Sequence, residues 1–92
     1  MFEFDDAKNA PNIKLRGMAF ERLADLDFDT AITIDDTRRD YGERRMRVIG
    51  FIDGRLHVAV VTPRGERIRI ISLRRANRRE EKAYAQEHNS SR

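Results

Sequence analysis

Arginine is the residue type whose number and spacing point to chemistry in this chain. Of the 92 residues, 19 are lysine or arginine, and only three of these are lysine. A guanidinium is a planar fork that stays charged and matches a phosphate group with two parallel hydrogen bonds. Arg74, Arg75, Arg78 and Arg79 fall within six residues and repel one another unless an anion joins them. This spacing points to recognition of phosphate groups.

The segment that precedes these arginines is predicted to be a strand. Ile68 and Ile70 alternate with arginines, which is the period of two expected of a half-buried strand. Ile71 and Leu73 extend the apolar pattern to the opposite face. We therefore expect a central strand that is partly covered on both sides.

A helix is predicted directly after this strand, over residues 78–87. Asn77 suits its N-cap, because the side-chain oxygen can accept from the free amides of the first turn. Glu80, three residues later, can accept from the Asn77 amide and complete a capping box. The end of the strand and the start of the helix would then bring the four arginines to one edge of the fold.

The first helix of the chain is predicted after a short edge strand, in which phenylalanines alternate with acidic residues. Asp5 or Asp6 can cap this helix, and Gly17 can end it in the left-handed conformation. Proline removes an amide donor and clashes with the preceding turn. Pro11 therefore predicts either a kink or a helix that begins near Asn9.

The remaining elements complete an α+β sandwich. A second helix is predicted from apolar residues that would share one face: Phe20, Leu23, Ala24 and Phe28. Strands follow over residues 31–35, 45–52 and 55–62, with a tight hairpin at Asp53-Gly54 and a turn over residues 63–66. The predicted order is a short N-terminal strand, two helices, a four-stranded antiparallel meander and a C-terminal helix. Residues 1–88 would form a single domain, and residues 89–92 a frayed tail.

This topology would line one sheet edge with arginine, a surface that suits a polyanion. The side chains concerned are Arg45, Arg47, Arg64, Arg67, Arg69, Arg74 and Arg75. Tyr41 and Tyr84 have two readings, since a tyrosine can stack on a nucleic-acid base or simply pack.

Charge and composition limit the function classes. Residues 1–43 are net acidic and residues 44–92 net basic, so the two halves either pair with each other or leave a basic surface for a partner. The chain has no cysteine, which excludes disulfides and thiolate chemistry and fits a reducing cytoplasm. The N-terminus is acidic and lacks a long apolar run, unlike a secretory signal or a membrane span.

Motifs for metal or cofactor chemistry are absent from the sequence, and we expect no cofactor. No Gly-rich phosphate loop, no His-Glu-x-x-His and no Cys/His metal spacing occurs. Asp35, Asp36 and Asp40 could form a metal-binding cluster, but acidic loops are more often solvated. His57 falls inside a predicted strand and is more often a structural residue than a catalytic one there.

The sequence resembles the BrnT family, the toxins of BrnT/BrnA type II toxin–antitoxin systems, over about residues 2–85. The resemblance is most specific at Ile-Ser-x-Arg-x-Ala, from Ile71 to Ala76, with Glu80 and Tyr84 behind it. It is also found at Phe2-x-Phe4-Asp5, Lys8, Asn12, Gly17-x-x-Phe20, Phe28-Asp29, Gly42-Glu43-x-Arg45, Ile49-Gly50, Val58, Val61-Thr62-x-Arg64 and Arg67-Ile68-x-Ile70. It implies a RelE-like fold and an RNA-cleaving toxin that inhibits translation. The implied partner is a BrnA-like antitoxin with a ribbon–helix–helix DNA-binding domain, in a hetero-oligomer.

A metal-independent endoribonuclease mechanism would follow. The RNA 2′-hydroxyl would attack the adjacent phosphorus and leave a cyclic phosphate, while Arg64 and Arg74 stabilise the growing negative charge. Glu80 or Tyr84 would handle protons or orient Arg74, and a purely structural ion pair between Arg74 and Glu80 is equally compatible. The alternative function is that of a weak or inactive homologue that only binds an antitoxin or nucleic acid.

The chain departs from the family pattern at two positions. Phe4 replaces the usual tryptophan, a mild aromatic change. Arg16, in Leu15-Arg16-Gly17, stands where the family commonly has histidine. An arginine cannot give up its proton as a histidine can. Arg16 is therefore a candidate RNA-phosphate contact.

We predict that Arg16→His increases RNA cleavage by the purified protein, if the family histidine transfers a proton. Such transfer is typically worth about 10²–10⁴-fold in rate. The measurement is the cleavage rate against pH, in which the variant should show a new titration between about pH 6 and 7. An unchanged rate over that range would contradict a missing acid or base at this position.

Overall fold

A computed structural model describes residues 2–90 of the chain. Its elements are β1 (Phe2–Phe4), α1 (Asp6–Arg16), a 3₁₀ helix (Phe20–Asp25), β2 (Ile32–Asp35), β3 (Met46–Ile52), β4 (Arg55–Arg64), β5 (Arg67–Arg75) and α2 (Arg78–Ser90). The predicted α+β class is confirmed. In this part of the chain no helix is long and apolar enough to cross a membrane.

The sheet has five strands in the order β1-β5-β4-β3-β2. The prediction of a four-stranded meander with a separate edge strand is therefore corrected. β1 joins the sheet in parallel beside β5, while the other neighbours are antiparallel. The reason is that Phe2 and Phe4 lie opposite Ile68 and Ile70 and pack against the same core. The RelE-like relationship stays a prediction.

β5 contains a bulge that the alternation of its sequence does not reveal. Ser72 pairs with Val60 and Ile70 pairs with Val61, which leaves Ile71 as an extra residue on β5. Ile70 and Leu73, three residues apart, consequently both lie in the main core. The prediction that Leu73 points to the face opposite Ile68 and Ile70 was wrong, because the bulge reverses the alternation.

The predicted second helix is a 3₁₀ helix of six residues. Its buried residues recur every three positions, at Phe20, Leu23 and the C-cap residue Leu26. This matches the 3.0-residue turn of a 3₁₀ helix and not the 3.6-residue turn of an α-helix. Ala24 is exposed, and the half-exposed Phe28 stacks on Phe2 beyond the end of the helix.

Helix α1 begins earlier than one of the predicted alternatives and runs through Pro11. Asp5 caps it by accepting from the Ala7 amide at 2.9 Å, so the helix starts at Asp6 and not near Asn9. Pro11 and Ala7 are both exposed, so water can satisfy the carbonyl that the proline leaves without a donor. Gly17 ends the helix in the left-handed conformation, as predicted.

Two buried asparagines hold the first third of the chain on the sheet. The Asn12 amide donates to the carbonyls of Leu73 and Met18, each at 2.8 Å. β1 pairs with β5 only as far as Ile70, so it cannot bond the Leu73 carbonyl, and Asn12 donates to this carbonyl instead. The Asn9 side chain accepts from the Phe20 amide at 2.9 Å, which fixes the start of the 3₁₀ helix.

The sheet has two different faces. The main core lies on the face covered by α1 and the 3₁₀ helix, which we call the helix-covered face; its buried residues are Phe20, Leu23, Leu26, Val48, Ile52, Ala59, Val61, Ile70 and Leu73. On the other face, Ile49, Leu56 and Val58 form a smaller cluster with Phe51, Ala76 and Tyr84. Helix α2 therefore covers only one end of that face.

The ends of β4 and α2 lie two or more residues beyond their predicted positions. β4 continues to Arg64, which pairs with Arg67, so the turn between β4 and β5 contains only Gly65 and Glu66. Helix α2 continues to Ser90, beyond its predicted end at residue 87 and into the predicted tail. Residues 91 and 92 lie outside the described part of the chain.

We predict that Asn12→Ala lowers the free energy of unfolding by about 2–3 kcal/mol, because two buried carbonyls lose their donor. Urea unfolding measures this as a lower midpoint with an unchanged m-value. Lys14→Ala on the same helix is exposed and should change stability by less than about 0.5 kcal/mol. An equal, small effect of both variants would contradict the bridging role of Asn12.

Candidate functional site

The face that α2 leaves partly open is lined by arginine, and we call it the arginine face. Side chains on one face of a sheet recur every second residue and align with their cross-strand partners. By this register Arg47 aligns with Val60, Arg69 with Thr62, and Arg74 with Val58. The arginines that share this face are Arg47, Arg64, Arg67, Arg69 and Arg74. Arg74 belongs to this set because the bulge at Ile71 turns it there.

Arg74 is fixed by Glu80 at the start of α2. Its Nη1 and Nη2 donate to the two carboxylate oxygens of Glu80 at 2.7 and 2.8 Å. Glu80 also accepts from the Asn77 amide at 2.9 Å, and the Asn77 side chain accepts from the Glu80 amide at 2.8 Å. The predicted capping box is confirmed. One carboxylate therefore holds both the helix start and the guanidinium.

The charges around Glu80 keep it ionised. Hydrogen bonds from Arg74 lower its pKa, helped by the Asn77 amide and by the positive charges of Arg74 and Arg47, while partial burial opposes the shift. The pKa of Arg74 is raised in return, first by its hydrogen bonds to Glu80. Glu80 is therefore a weak base that has no proton to donate near neutral pH.

A third cation near this pair, Arg38, comes from the loop between β2 and β3 and was not predicted from the sequence. Arg38 lies close enough to Arg74 for its positive charge to oppose the rise in the pKa of Arg74. Its Nε and Nη2 donate to Asp36 at 2.7 and 2.8 Å. The Asp36 side chain is fully shielded from solvent, and the hydrogen bonds from Arg38 hold its pKa well below the usual range. The only sequence signal was the Asp-x-Arg spacing.

Asp36 is therefore buried, and the expectation of a solvated acidic loop is wrong for this residue. The Tyr41 hydroxyl donates to its second oxygen at 3.2 Å, and the Asp36 amide donates to the Arg45 carbonyl at 2.8 Å. The Arg45 guanidinium lies 4.1 Å from the centre of the Tyr41 ring. Of the two readings for Tyr41, packing is therefore the one the contacts support. Within residues 2–90 no group of three His, Cys, Asp or Glu side chains could hold a metal ion.

Tyr84 is also used in packing. Its ring meets Phe51 edge to face, with centroids 5.4 Å apart. Its hydroxyl donates to the Thr30 carbonyl at 2.7 Å. These contacts attach α2 to the sheet and to the segment that leads into β2.

A cleft of about 400 Å³ separates α2 from β2 and β3. Its lining residues are Ile32, Thr33, Ile34, Arg47, Ile49, Glu80, Ala83, Tyr84 and Glu87. Apolar side chains form most of the wall, and Arg47 with Glu80 supplies charge beside Arg74. Because Glu87 adds a second carboxylate to the lining, the cleft can accept a flat apolar ring, and any anionic group would have to reach Arg74 at its margin.

The structure does not bring Arg64 to Arg74. Arg74 pairs with Val58, and six residues separate Val58 from Arg64 along β4, which is about 20 Å at the rise of a strand. Both guanidiniums cannot bond the same phosphate. Arg64 and Arg67 lie opposite each other at the exposed tip of the hairpin.

The other predicted RNA contacts are divided among three places. Arg69 lies 3.5 Å from Glu3 on the arginine face. The Nε atoms of Arg47 and Arg69 are buried and have no hydrogen-bond partner among the described residues. Arg75 is next to Arg74 in sequence and so points to the helix-covered face, opposite His57. Arg16 is exposed at the end of α1, on an element that packs along β5.

We predict that the contribution of Glu80 to stability depends on pH. A depressed carboxyl pKa stabilises the fold above the unfolded pKa, and this stabilisation is lost as pH falls through the folded pKa. Glu80→Gln should lower the free energy of unfolding by about 1–2 kcal/mol at pH 7 and by less as pH falls below about 4. Urea unfolding at both pH values measures this. Glu81→Gln, exposed in the same turn, is the control, and an equal loss in both variants would contradict the pairing.

Comparison with known protein families identifies the chain. A family model described as "Ribonuclease toxin, BrnT, of type II toxin-antitoxin system" matches residues 4–80. The matched segment contains the arginine face, the Asp36–Arg38 pair and Glu80, and it ends before Tyr84. No individual curated protein matches the sequence. The match covers most of the chain and confirms the resemblance seen in its sequence, so the chain belongs to the BrnT family of ribonuclease toxins of type II toxin–antitoxin systems.

Proposed function

We propose that this protein is an endoribonuclease toxin that binds an RNA strand along the arginine face and cleaves it beside Arg74. The observation that carries this proposal is the grouping of Arg47 and Arg74 around the ionised carboxylate of Glu80, with Arg38 near Arg74. With Asp36 paired to Arg38, three cations face two anions, which leaves one net positive charge where a phosphodiester would sit. Electrostatic stabilisation of this kind is usually the largest catalytic term.

Arg74 keeps a phosphate-binding edge while it is held by Glu80. A guanidinium has five N–H donors arranged as forks. Glu80 takes the fork formed by Nη1 and Nη2, and Nη1 also donates to the Arg75 carbonyl at 3.2 Å. The edge formed by Nε and Nη2 is left for two phosphoryl oxygens. In this proposal the RNA 2′-hydroxyl attacks phosphorus, the 5′-oxygen leaves, and a cyclic phosphate remains.

Glu80 acts as a positioning residue and Tyr84 as part of the cleft wall. A carboxylate whose pKa is lowered is a poor proton acceptor, and the Tyr84 hydroxyl already donates to a carbonyl. His57 points to the opposite face and is not available for proton transfer. The reaction would therefore rely on charge stabilisation without a metal ion and without an efficient general acid.

Arg47, Arg69, Arg67 and Arg64 would guide the strand away from the cleavage point. Together with Arg74 they extend over about 20 Å of the sheet, which is the length of several nucleotides. Arg45 is stacked on Tyr41 and would contribute charge at the margin.

The same lack of a proton-transfer residue supports a second candidate, a homologue that binds RNA or its antitoxin and cleaves weakly. In either case the partner would be a BrnA-like antitoxin with a ribbon–helix–helix domain. We propose that an acidic segment of this antitoxin covers the arginine face and so prevents inhibition of translation. The exposed arginines at the hairpin tip would provide its first contacts.

We predict cleavage of single-stranded RNA that persists in EDTA and falls by about 10²–10³-fold in Arg74→Ala, the usual effect of removing one charge-stabilising donor. Arg74→Lys should keep the ion pair and the fold but cleave weakly, because it lacks the second fork. Arg79→Ala removes an equal charge from an exposed position and should stay near the wild-type rate.

The affinity for RNA should fall with salt at a logarithmic slope of about −3, if roughly four arginines meet phosphates of one strand. Cleavage abolished by EDTA would contradict the metal-independent mechanism. Tight binding with this slope but no cleavage would favour the binding module. A slope near zero would rule out the arginine face as the RNA site.

A further inference from the structure

A second basic cluster lies on the helix-covered face, behind the arginine face. Arg55 and His57 are two residues apart on β4 and so point to the same side. Arg75 on β5 pairs directly with His57. Arg22 approaches from the 3₁₀ helix and pairs with Asp53 of the β3–β4 turn and, at 3.1 Å, with Asp25. Four basic side chains therefore meet at one corner of the sheet.

These residues line a pocket of about 180 Å³, whose remaining walls are Met18, Ile52 and Asp53. This volume is below the range for drug-sized ligands and suits a single small group. Arg55 and Arg75 are exposed and, within residues 2–90, form no ion pair. Arg22 pairs with both Asp25 and Asp53, so three guanidiniums face two carboxylates and one net positive charge remains.

The hydrogen bond made by His57 defines the tautomer of its neutral ring. Its side chain is 3% exposed, and Nδ1 lies 2.7 Å from the Arg55 carbonyl oxygen. A carbonyl can only accept, so Nδ1 carries a proton and Nε2 is the atom that gains or loses one. Burial lowers the pKa of His57, and the charges of Arg75 and Arg22 lower it further against the opposing effects of the Arg55 carbonyl and Asp53.

We propose that this pocket binds a phosphate group through Arg55, Arg75 and His57, at a site separate from the arginine face. Two guanidiniums and one imidazole from two adjacent strands surround a space of the right size, and an anion there would relieve the repulsion between Arg55 and Arg75. Binding takes up a proton at His57 Nε2, because the imidazolium donates where the neutral ring cannot. The phosphate belongs either to a free nucleotide or to an RNA strand that passes over the end of β5.

The test is an NMR titration of the His57 imidazole in the full-length protein, with His57→Gln used to assign its signals apart from those of His88. Three probes are used: inorganic phosphate, adenosine 5′-monophosphate and a short single-stranded RNA. We expect saturable shifts at His57, and a rise in its pKa when sulfate replaces chloride at equal ionic strength. Sulfate keeps its charge between about pH 5 and 8, so a pKa change reports His57 alone.

Substitutions of residues that line the pocket test whether the phosphate binds there. Arg75→Gln should weaken phosphate binding about tenfold, because a charge-assisted bond is lost. Asp53→Asn should strengthen it by removing the only carboxylate among the described residues that line the pocket, and asparagine tolerates the left-handed backbone at this position, where φ is +50°. Arg79→Gln removes the same charge from an exposed position outside the pocket and should change affinity less than twofold.

The outcomes separate the sources of the phosphate. Shifts with all three probes would assign the pocket to phosphate groups in general, and shifts with RNA alone would assign it to a nucleic-acid backbone. Shifts that do not saturate, or an equal loss in Arg75→Gln and Arg79→Gln, would show only non-specific attraction and overturn the proposal. Because these readouts do not involve cleavage, a failure here leaves the proposed activity of the arginine face untouched.

Discussion

The bulge at Ile71 is the constraint on which the functional surfaces depend. In a regular strand Arg74 would share a face with Ile68 and Ile70, and Arg75 would share the opposite face with Arg67. The extra residue reverses both assignments. Arg74 then meets Glu80 at the start of α2, and Leu73 fills the main core. One extra residue in β5 thus places Leu73 in the main core and Arg74 on the arginine face.

Two carboxylates then hold the cations in place. Glu80 serves α2 and Arg74 together, so helix formation and guanidinium orientation are coupled. Asp36 orients Arg38 in the β2–β3 loop. Its carboxylate can be fully shielded from solvent because Arg38, Tyr41 and a backbone amide all donate to it. Breaking either pair would leave an uncompensated charge, which costs more than the pair contributes. Both groups therefore have a fixed geometry before any ligand arrives.

The sequence predicts those features that depend on neighbours along the chain. The Asn77–Glu80 capping box and the end of α1 at Gly17 follow from spacing alone. The period of three at Phe20, Leu23 and Leu26 was also present and could have identified the 3₁₀ helix. The bulge and the separation of Arg64 from Arg74 were beyond reach, because both depend on strand register. The burial of Asp36 depends on packing of the loop, which no local pattern specifies.

The charge asymmetry of the chain is only partly resolved within the fold. Glu3 pairs with Arg69 and Asp35 with Arg44, so the acidic first half does neutralise some of the basic second half. A larger group, formed by Arg47, Arg55, Arg64, Arg67 and Arg75, makes no ion pair within residues 2–90. These arginines lie on both faces of the sheet and not on one edge. Since unpaired positive charge attracts a polyanion, an RNA strand that follows the arginine face and turns over the end of β5 would contact arginines on both faces.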